Sequence, residues 1–312
     1  MVMLFHAGAA SPIFAPGGYL AVDLFFVLSG FVLANAYEPR LRAGLGAVAF
    51  LRLRIARIYP MFALGMLVGL ARLPAAPEQL LLIPRIDGDG LASRIVLYPS
   101  NVAMWSLFVE LVVNGVFAAG LWRLSSRWLA LIVAACGALV LAGIVRQGSG
   151  DFGAFWCTLP LGLARCGFGF GMGVLLCRRH RRTPVSAPGG LPAWNTPPAV
   201  LLALVALVLL AAPQRRDGWD AVVMLAVMPA LVWLGVGSRP ATPRLAWLGD
   251  LSYPLYCIHL PVIELLRGHA LAQMVAALLL VPVALSLDRR VDRPLRRGWT
   301  GRPLQTRMGI ST

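Results

Sequence analysis

Long apolar runs, broken by short segments that carry arginine, constrain this chain more than any other feature of it. An apolar run of about 18 residues or more reads as a helix that crosses a bilayer. Inside hydrocarbon every backbone N–H and C=O must be satisfied internally, which leaves helices and closed barrels as the possible spanning structures. Candidate spans are residues 17–36, 58–71, 102–122, 128–145, 152–177, 199–213, 221–238, 251–266 and 268–287. The run at 199–213 is short, and the run at 251–266 is interrupted by His259 and Glu264. Residues 1–10 read as the end of one more span, cut off at Met1. The predicted fold is all-α, a polytopic transmembrane bundle of about ten helices with the first one truncated. Composition agrees: 59% of the 312 residues are hydrophobic and 13% charged, against about 25% charged in a typical soluble domain.

The arginines give the bundle an orientation. The 28 basic residues are all arginine, and they fall between the apolar runs. If the segment after the first complete span is cytoplasmic, then 20 arginines lie on that side and 7 on the other, with Arg165 inside a span. The positive-inside rule then places the C-terminus in the cytoplasm. The formal net charge of +15 is explained by this distribution. Nucleic acid is not an expected partner, since no fold or aromatic pattern for it accompanies the charge. The bilayer is the expected partner, and the all-arginine usage suggests a bacterial, high-GC source and hence the bacterial cytoplasmic membrane.

Cys136, Cys157, Cys166, Cys177 and Cys257 lie in or at the ends of apolar runs with no C-x-x-C pair. They read as small buried hydrophobes, and no metal ligand set is expected. No cleavable signal peptide is evident, because residues 1–5 carry no basic n-region. The polar stretches 72–101 and 178–198 read as an outer loop and a flexible inner linker.

Ionisable side chains at membrane depth are costly and point to function until a structural partner accounts for them. Six qualify: His6, Asp23, Glu110, Arg165, His259 and Glu264. Arg165 and Glu264 read best as satisfied internal pairs or interfacial groups. Asp23 and His259 divide evenly between a polar clamp and a site. Glu110, eight residues into its span, favours a site.

Four sequence stretches carry a family resemblance. Residues 18–31, GYLAVDLFFVLSGF, contain Asp23, Ser29 and Gly30. Residues 50–60, FLRLRIARIYP, contain Arg52, Arg54, Arg57 and Tyr59. Residues 105–110, WSLFVE, contain Trp105, Ser106 and Glu110, and residues 252–261, SYPLYCIHLP, contain Tyr256 and His259. In this order they resemble the motifs of acyltransferase family 3, the integral membrane O-acyltransferases. The resemblance implies transfer of an acyl group, usually acetyl, from acyl-CoA to a hydroxyl of a carbohydrate, a glycolipid or a related acceptor. The family's first helix carries an arginine and a histidine separated by ten residues. His6 matches the histidine, and the arginine would fall before Met1. An acyltransferase domain over residues 1–298, followed by a basic cytoplasmic tail over 299–312, is the expected organisation. The alternatives are an inactive truncated homologue, or a transporter or flippase that uses the same buried charges.

The chemistry needs a base for the attacking hydroxyl, and a neutral imidazole suits that task. His6 is the expected base, with Glu110 orienting it or acting as a second acid–base group, and Asp23 converging on the same cavity. Arg54 and Arg57 are three apart, on one face if the chain is helical there, and with Arg52 they are the expected seat for the phosphates of coenzyme A, since guanidinium groups match phosphate oxygens in bidentate geometry. These arginines are expected on the cytoplasmic side and His6 near the outer leaflet, so the acyl group or the pantetheine arm must cross much of the bilayer within the bundle.

Overall fold

The structure, a computed structural model, describes residues 2–6, 14–73, 77–86, 89–182, 196–213, 216–236 and 243–300. Twelve α-helices follow in order: α1 Val2–His6, α2 Ala21–Arg42, α3 Ala47–Arg72, α4 Trp105–Ala119, α5 Ser126–Gln147, α6 Leu159–Arg182, α7 Pro198–Leu210, α8 Asp217–Val222, α9 Met228–Val236, α10 Pro243–Leu265, α11 Ala270–Leu287 and α12 Arg293–Thr300. A π-helical turn, Val223–Val227, joins α8 to α9, and a second, Asp288–Asp292, joins α11 to α12. The described residues hold no strand, only an isolated bridge between Val96 and Phe155.

Among the described residues, seven helical stretches are long and apolar enough to cross a membrane. The fold is the expected helical bundle, with α7, shorter at 13 residues, and the proline-bearing α10 completing it. Several boundaries differ from the apolar runs. Helix α3 starts at Ala47 rather than residue 58, so Arg52, Arg54 and Arg57 stand on a helix and not in a loop. The long aliphatic stems of Arg52 and Arg57 let their charged heads reach water, whereas Arg54 turns inward to Glu110. Residues 288–300, which follow the last apolar run, are helical and fold back toward α3 and α10 through Arg57–Asp292 and Arg293–Asp250 ion pairs. The expected boundary at 298/299 therefore falls inside α12, while residues 301–312 lie outside the described residues, as do 183–195 of the expected inner linker and 7–13 after His6.

Glycine allows the closest helix packing. A Cβ on Gly30 would lie 1.9 Å from the Phe170 carbonyl oxygen, and one on Gly173 would lie 2.1 Å from that of Val27. The backbones of α2 and α6 thus meet at Gly30, which explains physically why the motif carries a glycine there. Outside this core, Leu131, Leu139 and Val145 of α5 and Leu271, Leu278 and Leu279 of α11 are exposed, as a lipid-facing surface requires. Cys166, Cys177 and Cys257 are buried, but Cys157 is exposed, contrary to the expectation of a small buried hydrophobe. It sits in the short turn before α6, outside the packed helix faces.

Two sets of ion pairs mark the two ends of the bundle. At one end Arg178 and Arg181 engage Glu38, Arg57 engages Asp292 and Arg293 engages Asp250. At the other end Glu264 takes both Arg72 and Arg267, so that carboxylate is a satisfied interfacial group.

Candidate functional site

The polar centre nearest the second end is built on α10. Pro261 has no N–H, so the Cys257 carbonyl four residues earlier loses its helical donor. Asn101 replaces it: its Nδ2 donates to the Cys257 carbonyl at 2.8 Å and to the Gly65 carbonyl at 3.3 Å. A Cβ on Gly65 would sit 2.2 Å from the Cys257 oxygen, so glycine is required for α3 to reach this point. Asn101 was not anticipated from the sequence. Its position just before an apolar run, followed by Trp105 and Ser106, is the only signal it offered.

Between Cys257 and Pro261, on the same helix, stands His259, buried. Its Nδ1 is 2.8 Å from the Tyr256 carbonyl and 3.1 Å from the Leu255 carbonyl. Carbonyls only accept, so Nδ1 carries the proton and the neutral ring presents a lone pair at Nε2. That nitrogen is buried without a hydrogen-bond partner among the described residues. The His6 ring lies beside it, with centroids 5.4 Å apart. His6 is held at the end of α1 by Phe5, whose ring packs edge-on against it and also contacts Phe14 and Tyr19.

From His259 a polar path leads toward the arginines. The Tyr256 ring is 5.8 Å from that of His259. Its hydroxyl donates to the Ala103 carbonyl at 2.7 Å and is 2.5 Å from Ser106 Oγ. Ser106 and Glu110 are four apart on α4 and so lie on one face. Ser29 Oγ donates to Glu110 Oε1 at 2.6 Å, and Arg54 Nη2 reaches the same oxygen at 3.3 Å. Arg54 Nε is buried without a partner among the described residues.

Asp23 departs from the expected convergence. Both of its oxygens are engaged by Arg165, with Nε to Oδ1 at 2.8 Å and Nη2 to Oδ2 at 2.7 Å. The remaining Arg165 donors go to the carbonyls of Gly150, Phe152 and Tyr19, and its guanidinium lies over the Trp105 ring at 5.7 Å. Every donor of Arg165 is thereby satisfied. The pair is a clamp that fastens α2 to α6 and to the turn before it, and Trp105 serves the clamp. His6, Glu110 and Asp23 thus stand in three separate pairings.

The other arginines differ among themselves. Arg52 is exposed. Arg57 pairs with Asp292 at 3.6 Å and lies 5.9 Å from the Tyr253 ring. It lines a cleft of about 200 Å³ together with Asp250, Asp288, Arg293 and Arg297. Tyr59 is not in that lining, and its ring lies 5.8 Å from Trp299. The Asp288 and Asp292 carboxylates, absent from the expected site, emerge because the π-turn brings them under α3.

Comparison with known proteins agrees with this architecture. A protein described as protein 2 in the picA locus of Rhizobium radiobacter is 35% identical over 139 residues, which cover 37% of this chain and 73% of that protein. No solved structure matches the chain. The model of an acyltransferase domain matches residues 1–287, almost the whole described bundle, and the chain therefore belongs to acyltransferase family 3, a family of membrane O-acyltransferases.

Proposed function

We propose that the protein transfers an acyl group, acetyl in the first instance, from acyl-CoA to a hydroxyl of a carbohydrate or glycolipid. The reading rests most on one observation: His6 lies against His259, whose protonated Nδ1 is fixed on backbone carbonyls and whose Nε2 is left free in a buried setting. A neighbour whose orientation is fixed before the reaction can hold the base beside it without reorganisation.

In the proposed reaction the acceptor hydroxyl loses its proton to His6 as its oxygen attacks the thioester carbon. The carbon–sulfur bond then breaks, and the proton passes to the departing thiolate. Tyr256 and Ser106 stand one residue layer from the histidine pair, their hydroxyl protons engaged on the Ala103 carbonyl and on each other, so they line the path rather than donate to the reacting oxygen. Arg54, held by Glu110, borders the arginine-rich end and takes phosphate oxygens of the coenzyme. The path from Arg54 through Glu110, Ser106 and Tyr256 to His259 and His6 supports passage of the pantetheine arm along the bundle. Glu110 acts on this path through Arg54 and Ser29 rather than through His6. On this reading the arginine-rich end is cytoplasmic, the C-terminus is inside, and the membrane is the bacterial cytoplasmic membrane.

The test is reconstitution in liposomes with acetyl-CoA and a glycan acceptor, following release of free thiol and the mass of the acceptor. Acceptor-dependent thiol release that His6→Ala abolishes is expected. Release that is unchanged in His6→Ala overturns the assignment.

A further inference from the structure

A second cluster of arginines lies away from Arg54 and Arg57, where the C-terminal ends of α2 and α6 meet the start of α5. A cavity of about 340 Å³ there is lined by Arg42, Arg123, Arg178, Arg181, Arg182, Glu38, Leu124, Ser125 and Ser126. Five guanidinium groups face one carboxylate. Glu38 is consumed by two of them, Arg178 at 2.7 Å and Arg181 at 3.2 Å. Those two also hold backbone carbonyls, Arg178 at Trp122 and Leu124 and Arg181 at Ala34 and Asn35. They staple the corner together. Arg42 and Arg123 instead lie over the Trp122 ring, at 5.7 and 4.9 Å. Neither they nor Arg182 pair with a carboxylate among the described residues, and all three are exposed.

The helix beneath them adds positive potential at the same place. The first turn of α5 leaves N–H groups without intrahelical acceptors, and a helix N-terminus carries partial positive charge that favours anions. This one has Ser125 and Ser126 at its start, Arg127 in its first turn and no acidic residue there. Ser125 makes no side-chain cap. Ser126 Oγ is shielded from solvent and has no hydrogen-bond partner among the described residues. Three guanidinium groups without a carboxylate partner among the described residues and a helix N-terminus thus border one cavity.

We propose that this cavity binds the phosphate of an anionic phospholipid of the inner leaflet. The cations identify a phosphate as the ligand, because guanidinium groups meet phosphate oxygens bidentately. The setting identifies a lipid as its source. The cavity opens between helices at the arginine-rich end of the bundle, and Trp122 stands at its edge as aromatic residues do at a membrane interface. Basic pockets between spanning helices on the cytoplasmic side hold anionic headgroups in this way. The apolar flank of α5, with Leu131 and Leu139 exposed, is available to the acyl chains. The inference does not depend on acyl transfer.

Native mass spectrometry of the full chain released from detergent tests it. The wild type, incubated with phosphatidylglycerol, is expected to keep one lipid at activation energies that strip phosphatidylcholine. The Arg42→Gln, Arg123→Gln, Arg182→Gln triple variant should retain phosphatidylglycerol about tenfold less, while Arg127→Gln, outside the cavity, should retain it as the wild type does. The triple variant changes only exposed side chains, and an unchanged melting temperature certifies its fold. Equal retention by wild type and triple variant overturns the proposal, as does equal retention of the two lipids by the wild type. Loss of bound phosphatidylglycerol on adding millimolar inorganic phosphate would assign the cavity to a soluble phosphate and overturn the lipid source.

Discussion

The His6 and His259 rings lie 5.4 Å apart across α1 and α10, and the His259 Nδ1 is fixed on the Tyr256 carbonyl at 2.8 Å. The two residues are far apart in sequence, and only the approach of these helices joins them. If His6 is the base, His259 is its positioning residue. Replacing His259 by Ala is expected to lower kcat about a hundredfold, the scale of a misplaced reacting group, with the KM for acyl-CoA nearly unchanged. Steady-state kinetics in liposomes decide this, and turnover within twofold of the wild type would exclude the positioning role.

Asp23 and Arg165 share a bidentate pair in the core. Breaking a buried pair leaves an uncompensated charge, which costs about 3–5 kcal/mol. Asp23→Asn is expected to lower the melting temperature markedly, and the Asp23→Leu, Arg165→Met double variant to recover much of the loss. Thermal melting in detergent separates this from catalysis, because a purely catalytic Asp23 would lose activity with its melting temperature intact.

Arg54 is held by Glu110, which also receives Ser29. Arg54→Lys keeps the charge but loses the planar fork, and is expected to weaken coenzyme A binding about tenfold, or roughly 1.4 kcal/mol. Titration with coenzyme A measures it. Unaltered affinity in both Arg54→Lys and Arg54→Ala would remove Arg54 from the site.

Arg57 faces a competing anion. Its guanidinium is 3.6 Å from Asp292, so a phosphate must share or displace that carboxylate. Asp292→Asn is therefore expected to tighten coenzyme A binding several-fold. A weaker affinity in the same titration would mean that Asp292 aims Arg57 rather than competes for it.

Gly30 touches Phe170 so closely that an added Cβ would lie 1.9 Å from its carbonyl oxygen. Backbone cannot yield by that much without parting α2 from α6. Gly30→Ala is expected to reduce the yield of folded protein sharply, as read by size-exclusion chromatography of a fluorescent fusion. Normal yield and melting would exclude the close approach.

The sequence by itself determined the class of fold, because a bilayer imposes a length and an apolarity on each helix that can be read residue by residue. It also carried the motifs that the family match over residues 1–287 supports. Helix ends were less legible: Arg52, Arg54 and Arg57 interrupt the apolar run, yet long arginine stems let the helix begin at Ala47. Partners were not legible at all. Asp23 and Glu110 are both single acids within apolar runs, and nothing local distinguishes them. Tertiary packing gave Asp23 to Arg165, 142 residues away, and Glu110 to Ser29 and Arg54. Likewise, Asn101 has meaning only because Pro261 deprives Cys257 of its helical donor and Gly65 admits α3 to that carbonyl. Hydropathy is a local property written along the chain, whereas the fate of a buried charge depends on which helix faces it, and that was decided by the packing of the bundle.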